Sequence, residues 1–262
     1  GLTRNHRTFA PYLGSFYTVL MNIFEFLAVG VLVSCLLFLI RRNVLKLRRF
    51  HAYEMTRWPR LDANLILVIE IGLMVAILTM NAADQVLQRT SSGYPPTGHL
   101  FFSSMLTPLI EDLPVNGLVA IERFAWWIHI LGILGFAIYI TYSKHLHIVT
   151  AFFNTALRKM KPRGELPAMD LETTDPNARF GVKTIEDLHW KDLLDGFTCT
   201  ECGRCQEACP AWATGKPLNP KTMIMGLREM SVEAEAGVSL VPWIRGAGPS
   251  QERLERPIVD AA

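Results

Sequence analysis

Three long apolar runs dominate the first 150 positions of the chain: residues 16–40 (FYTVLMNIFEFLAVGVLVSCLLFLI), 63–83 (ANLILVIEIGLMVAILTMNAA) and 124–142 (FAWWIHILGILGFAIYITY). Each is near the ~20 residues that a helix needs to cross ~30 Å of hydrocarbon. Each also carries at most one charge, whereas buried helices of soluble proteins rarely run so long with so few. The pattern predicts a mainly α protein built on a transmembrane bundle with three spans, in a domain covering residues 1–150. Residues 162–182 (PRGELPAMDLETTDPNARFGV) are rich in proline, glycine and acids, which places an extended linker over 151–183. A second domain, 184–262, opens with Thr184 and Asp187 at capping-box spacing. Ile185, Leu188 and Leu193 then recur as in a short amphipathic helix.

Charge orients the spans. Arg41, Arg42, Lys46, Arg48, Arg49, Arg57 and Arg60 lie between the first two, whereas Arg89 is the only lysine or arginine at 88–118. The basic loop is expected on the cytoplasmic side, and Lys144, Arg158, Lys159, Lys161 and Arg163 place the chain beyond the third span there too. Trp126 and Trp127 enter that span at the opposite headgroup level, where amphipathic rings are favoured. The expected location is a bacterial or archaeal cytoplasmic membrane, with several passes and a cytoplasmic C-terminal domain. The first apolar run is too long for a signal-peptide core. The chain opens on Gly1 and stops at RPIVDAA with no helix-ending feature, so a longer native chain is expected.

Composition adds exclusions. A net charge of +2 on 262 residues, with basic residues gathered beside apolar spans, argues against nucleic acid as a partner. Five cysteines are present, four of them within eleven residues, which is too tight for a disulfide framework and typical of a metal site in a reducing compartment. Cys35, inside the first span, reads as an inert small hydrophobe.

Cys199, Cys202, Cys205 and Cys209, followed by Pro210, have the CxxCxxCxxxCP spacing of ferredoxin-type [4Fe-4S] ligands. Two-residue gaps let a coiled loop aim three thiolates at one cubane, and Gly203 lets the backbone approach the sulfides. In two-cluster ferredoxins the fourth cysteine of such a run serves the other cluster, so either all four hold one cluster or the chain continues into a second run, which is the reading we favour. Structural zinc is the alternative, but zinc motifs usually separate two CxxC pairs by a dozen residues or more. AWATGKP is not a phosphate loop, because Pro217 stands where a hydroxyl residue belongs.

His129 and His147 are eighteen positions apart, five whole turns, so a continuous helix would put both on one face about 27 Å apart. One ligand near each membrane surface suits two b-type haems held between helices, with His145 as the rival to His147. A histidine bonded between helices, or at the interface, is the plainer alternative. The first two spans contain no histidine, so partner ligands would come from sequence upstream of Gly1. Glu25 and Glu70 lie well inside spans, where a carboxyl must be paired, bonded to a neighbouring helix, or placed to relay protons to a quinone. Asp84, at the end of the second span, reads as solvated.

The stretches FTCTECGRCQEACPAWATGKPLNPK and WWIHILGILGFAIYITYSKHLH resemble one family: membrane-bound iron-sulfur oxidoreductases in which a domain like the gamma subunit of respiratory nitrate reductase is fused to a heterodisulfide-reductase-like iron-sulfur domain. Members include proteins assigned as electron-transfer-flavoprotein:menaquinone oxidoreductases. The resemblance implies a five-helix b-haem domain, two [4Fe-4S] clusters and a later cysteine-rich domain. It carries first-cluster ligation onto Cys199, Cys202 and Cys205, the second cluster onto Cys209, and haem ligation onto His129 and His147. This sequence departs from it in having three spans, one cysteine run and no cysteine-rich repeats.

The expected architecture is therefore a three-span bundle followed by a cytoplasmic, incomplete, ferredoxin-like α-helical iron-sulfur domain. The expected function is an oxidoreductase subunit passing electrons between a cytoplasmic donor, such as reduced electron-transfer flavoprotein, and menaquinone, through [4Fe-4S] and haem b, with membrane lipid and quinone as further partners. Alternatives are a quinol-dependent reductase of a cytoplasmic disulfide, a membrane anchor or assembly protein with a structural metal site, and an ion transporter using Glu25 and Glu70.

Overall fold

The computed structural model describes residues 7, 9–55, 58–162, 165, 171–174, 180–182 and 184–236. Among these, every regular element is helical. Arg57, Arg163, residues 166–170, 175–179 and 183 of the expected linker and the 237–262 part of the second domain lie outside the described residues; the linker's first residues, 151–156, are helical. The chain divides into two units, Gly1–Lys46 with Ala63–Tyr139 and Leu47–Asp62 with Ile140–Ala262.

The first unit contains most of three helices: α1 (Ser15–Leu39, ending in a π turn, Ile40–Val44), α2 (Trp58–Thr90) and α3 (Val115–Ile140). All three are long and apolar enough to cross a membrane. Large apolar side chains such as Phe24, Phe38, Val68, Leu131 and Ile138 point outward, a disposition that water would oppose and lipid accepts. Reciprocal amide bonds between Asn43 and Asn64, at 3.3 and 3.1 Å, join the end of α1 to α2.

The helices run past the predicted limits wherever polar residues are buried. α2 continues from 83 to Thr90 because Ala82, Ala83, Asp84, Gln85, Val86 and Leu87 are all buried. Val86 and Leu87 pack with Leu118 of α3. Asp84 is thus not solvated: it is buried, pairs with Arg7 and accepts from Gln88 Nε2 at 2.7 Å. An ion pair and an amide replace the water that its charge would otherwise need. α3 begins at Val115 rather than 124; its first turns hold Asn116, Gly117, Glu122 and Arg123, which dilute the apolar signal, yet Leu118 and Glu122 are buried. Glu122 also pairs with Arg123 at 3.2 Å.

The segment between α2 and α3 docks on α1. Phe101 N–H donates to Asn22 Oδ1 at 2.9 Å, and the rings of Phe26 and Phe102 meet edge to face with centroids 4.9 Å apart. Glu25, 2% exposed, accepts from the Phe102 and Ser103 N–H groups at 2.9 and 3.2 Å, from Asn81 Nδ2 at 3.2 Å and from the Ser103 hydroxyl. Of the roles open to Glu25, the structure displays the bonded one, and the partners include a loop as well as a helix. Glu70 is half-buried on α2.

In the second unit, the chain between α1 and α2 has two 3₁₀ turns, Arg48–Phe50 and Tyr53–Met55. The chain then resumes after α3 with a 3₁₀ turn (Lys144–Leu146), α4 (His147–Ala156), α5 (Trp190–Thr198) and α6 (Pro220–Ala236). The capping box between Thr184 and Asp187 is present, but it caps only the 3₁₀ turn Ile185–Asp187. Leu188 is extended, and His189 with Asp192 forms a second box that starts α5. Lys191 on α5 reaches Asn154 of α4 and Asp195 (2.6 Å), fixing the two helices together.

Candidate metal centre and membrane histidines

α5 delivers the first cysteine. Cys199 caps its C-terminus in an extended conformation, its N–H bonded to Gly196 O at 3.2 Å. Two left-handed residues then curl the chain, Glu201 (φ 56°) and Gly203 (φ 78°). Gly203 is required twice over: a Cβ there would lie 3.2 Å from Cβ of Arg49, in a conformation that side chains disfavour. A helical turn, Arg204–Glu207, carries Cys205, and Cys209 caps the next, Pro210–Ala213, with proline at its first position. Cys199, Cys202 and Cys209 are half-buried and Cys205 is exposed.

The donor set and the backbone fit an iron-sulfur centre. Four soft thiol donors lie on one loop, and the Glu201 N–H points at Cys199 Sγ from 3.4 Å, the kind of bond that stabilises ligating sulfur. Among the described residues, no three His, Cys, Asp or Glu side chains converge closely enough to hold an ion. A metal that binds such a loop supplies part of the energy that gathers its ligands. Burial pushes the Cys199 thiol up, while the Glu201 N–H and the Arg228 guanidinium act in the opposite direction.

Buried charge surrounds this loop, and none of it was legible as a site in the sequence. Glu201 accepts from Lys144 Nζ at 2.5 Å and from Arg228. Burial alone would raise its carboxyl, but these two cations outweigh that and hold it below the usual carboxylate value. Asp62 accepts from the Ser143 hydroxyl at 2.7 Å and from the Lys144 N–H at 3.2 Å. Lys221 lies 3.2 Å from Glu54 and donates to Arg49 O at 3.0 Å.

The histidines sit differently from the arithmetic of one continuous helix. α3 stops at Ile140, and Ser143 is extended, its hydroxyl accepting the His145 N–H, so His147 begins a new helix. The continuous helix that the shared face requires is therefore absent. Each retains a feature that suits ligation: His129 Nδ1 donates to Leu73 O at 3.0 Å and His147 Nδ1 to Lys144 O at 3.1 Å. A carbonyl only accepts, so Nδ1 carries a proton, and a neutral ring then presents a bare Nε2, the arrangement usual for a metal-bound imidazole. One turn beyond His129, Gly132 permits close contact with α2; a Cβ there would stand 2.7 Å from Leu73 Cδ2. The His145 ring lies 5.5 Å from that of His147. Burial and His147 lower its pKa, with Asp62 opposing them.

These features define a class: a helical membrane protein carrying a ferredoxin-type cysteine run. Comparison with known proteins agrees. The chain is 33% identical over 186 residues to a protein named probable iron-sulfur-binding oxidoreductase FadF, from Bacillus subtilis (strain 168), covering 71% of this chain and 26% of that protein. It is 34% identical over 146 residues to the EtfAB:quinone oxidoreductase of Syntrophomonas wolfei subsp. wolfei, covering 56% and 20% respectively. It is 44% identical over 62 residues to a probable membrane-anchored ferredoxin of Chromohalobacter salexigens, covering 24% and 9%. The chain is thus distantly homologous to iron-sulfur oxidoreductases and spans about a quarter or less of each. No family model matches it, and no solved structure does.

Proposed function

We propose that this chain is the membrane and first-cluster portion of an oxidoreductase that passes electrons between a soluble flavoprotein and the menaquinone pool. The observation that carries the reading is the four-cysteine loop in a chain that also has three helices long and apolar enough to span a membrane. Cys199, Cys202 and Cys205 would hold one [4Fe-4S] cluster, and Cys209 would serve a cluster completed by a second cysteine run. His129 and His147 would hold b-type haem through Nε2. Such centres supply one-electron transfer, while the protein supplies position, burial and tuning. Support for a quinone partner comes from the S. wolfei relative, which is named for EtfAB and quinone. The density of basic residues at 41–60 and beyond 143 supports a cytoplasmic cluster domain.

Cys202→Ser is expected to remove the electron paramagnetic resonance signal of the cluster held by Cys199, Cys202 and Cys205, and to lower iron content, while membrane insertion persists. Unchanged iron content in that variant would contradict the assignment. His129→Leu tests the haem separately: the b-type band in reduced-minus-oxidised spectra of membranes should fall by half or more. A full band after that change removes His129 as a ligand.

A further inference from the structure

Glu201 lies in the gap between the first two cysteines and has two properties that ligation alone does not require. It is 3% exposed, and it holds a left-handed φ of 56° that glycine would adopt at lower cost. What a glycine would lack is the carboxylate. One of its oxygens takes Lys144, from the turn just after α3, and the other takes Arg228, from α6. Both cations are bonded further: Lys144 Nζ to Pro59 O at 2.6 Å, and Arg228 to Cys199 O at 3.3 Å. Asp62, Lys144, Glu201 and Arg228 share the lining of a cavity of about 60 Å³ with Trp58 and Phe197. The Cys199–Cys202 segment is therefore held on both sides: by its own sulfur through the Glu201 N–H, and by the Glu201 side chain.

We propose that Lys144, Glu201 and Arg228 form a positioning and tuning device for the cysteine loop, fixing the Cys199–Cys202 segment to the chain that leaves α3 and setting the potential of the centre bound there. The proposal rests on the iron-sulfur reading above. Its physical content is a pair of opposite signs. A buried carboxylate near a redox centre disfavours the added electron, and a buried cation favours it, with little solvent between to screen either. A device that merely braced the loop would shift the potential the same way whichever partner was removed.

The test is a potentiometric titration of the iron-sulfur signal in membranes holding the full-length protein. For a unit charge ~10 Å away at an effective dielectric of ~20, Glu201→Gln should raise the reduced-to-oxidised ratio at the wild-type midpoint roughly fifteen-fold, and Lys144→Met should lower it several-fold. Lys144→Arg and Arg228→Lys keep the charges and should stay near wild type. Should Lys144→Met fail to assemble, Arg228→Gln is read in its place and should lower the ratio too. Shifts of the same sign in the carboxylate and cation variants, or intact signals with no shift, would overturn the proposal. A wild-type protein with no iron-sulfur signal would overturn the underlying reading instead.

Discussion

Lys221→Met is expected to cost the cysteine-bearing unit about 3–5 kcal/mol, the range measured when one partner of a buried ion pair is removed. Lys221 is 0% exposed, its ammonium 3.2 Å from Glu54 and 3.0 Å from Arg49 O. Methionine fills a similar volume but leaves Glu54, itself 3% exposed at the side chain, as an uncompensated buried carboxylate. The damage should reach the cysteines, because Gly203 packs against Arg49 and Lys221: a Cβ on it would lie 3.2 Å from Arg49 Cβ and 3.7 Å from Lys221 Nζ. Protease resistance and thermal unfolding of the second unit measure the loss. Adding Glu54→Leu to Lys221→Met should recover most of it, since two apolar groups are cheaper than one orphaned charge. A single variant as stable as wild type would mean that the pair carries no load.

How much of this was legible beforehand follows from the range of each signal. The three spans were, because a run of some twenty apolar residues is a local property that needs no partner. The cysteine run and the Thr184–Asp187 box were legible for the same reason, each being complete within a few positions. What failed were inferences that needed the third dimension. The span limits at 83 and 124 were drawn where polar residues begin, but Asp84 and Glu122 are buried among partners that local hydropathy cannot see. The shared face of His129 and His147 assumed an unbroken helix, whereas Ser143, tied to Asp62, ends that helix early. Lys144–Glu201 and Lys221–Glu54 join positions far apart in the chain, and nothing in the local periodicity of either partner announces the other. In the sequence, Lys144 and Arg49 carry a signal only as charges flanking spans, and Glu201, Arg228 and Lys221 carry none.

The largest expected loss in the first unit comes from Glu25→Leu, because of what it leaves behind. Four donors lose their acceptor: the N–H groups of Phe102 and Ser103, the Asn81 amide and the Ser103 hydroxyl, the last retaining Leu78 O at 3.2 Å. Each buried donor left unmet costs about 1–3 kcal/mol, and lipid offers no water to replace the bond. A total of about 3–5 kcal/mol is expected after partial relaxation, read as a lower temperature of unfolding in detergent and faster proteolysis between α2 and α3. Glu25→Gln keeps one acceptor oxygen and should cost markedly less. The ranking separates an anchor from a proton relay. An anchor makes Leu far worse than Gln for stability and leaves the proposed quinone-linked proton uptake of the full-length protein near wild type in the Gln variant, whereas a relay spares the fold of the Gln variant and stops that uptake. Glu25 already meets four donors, two of them backbone groups of the loop it holds, and that arrangement favours the anchor.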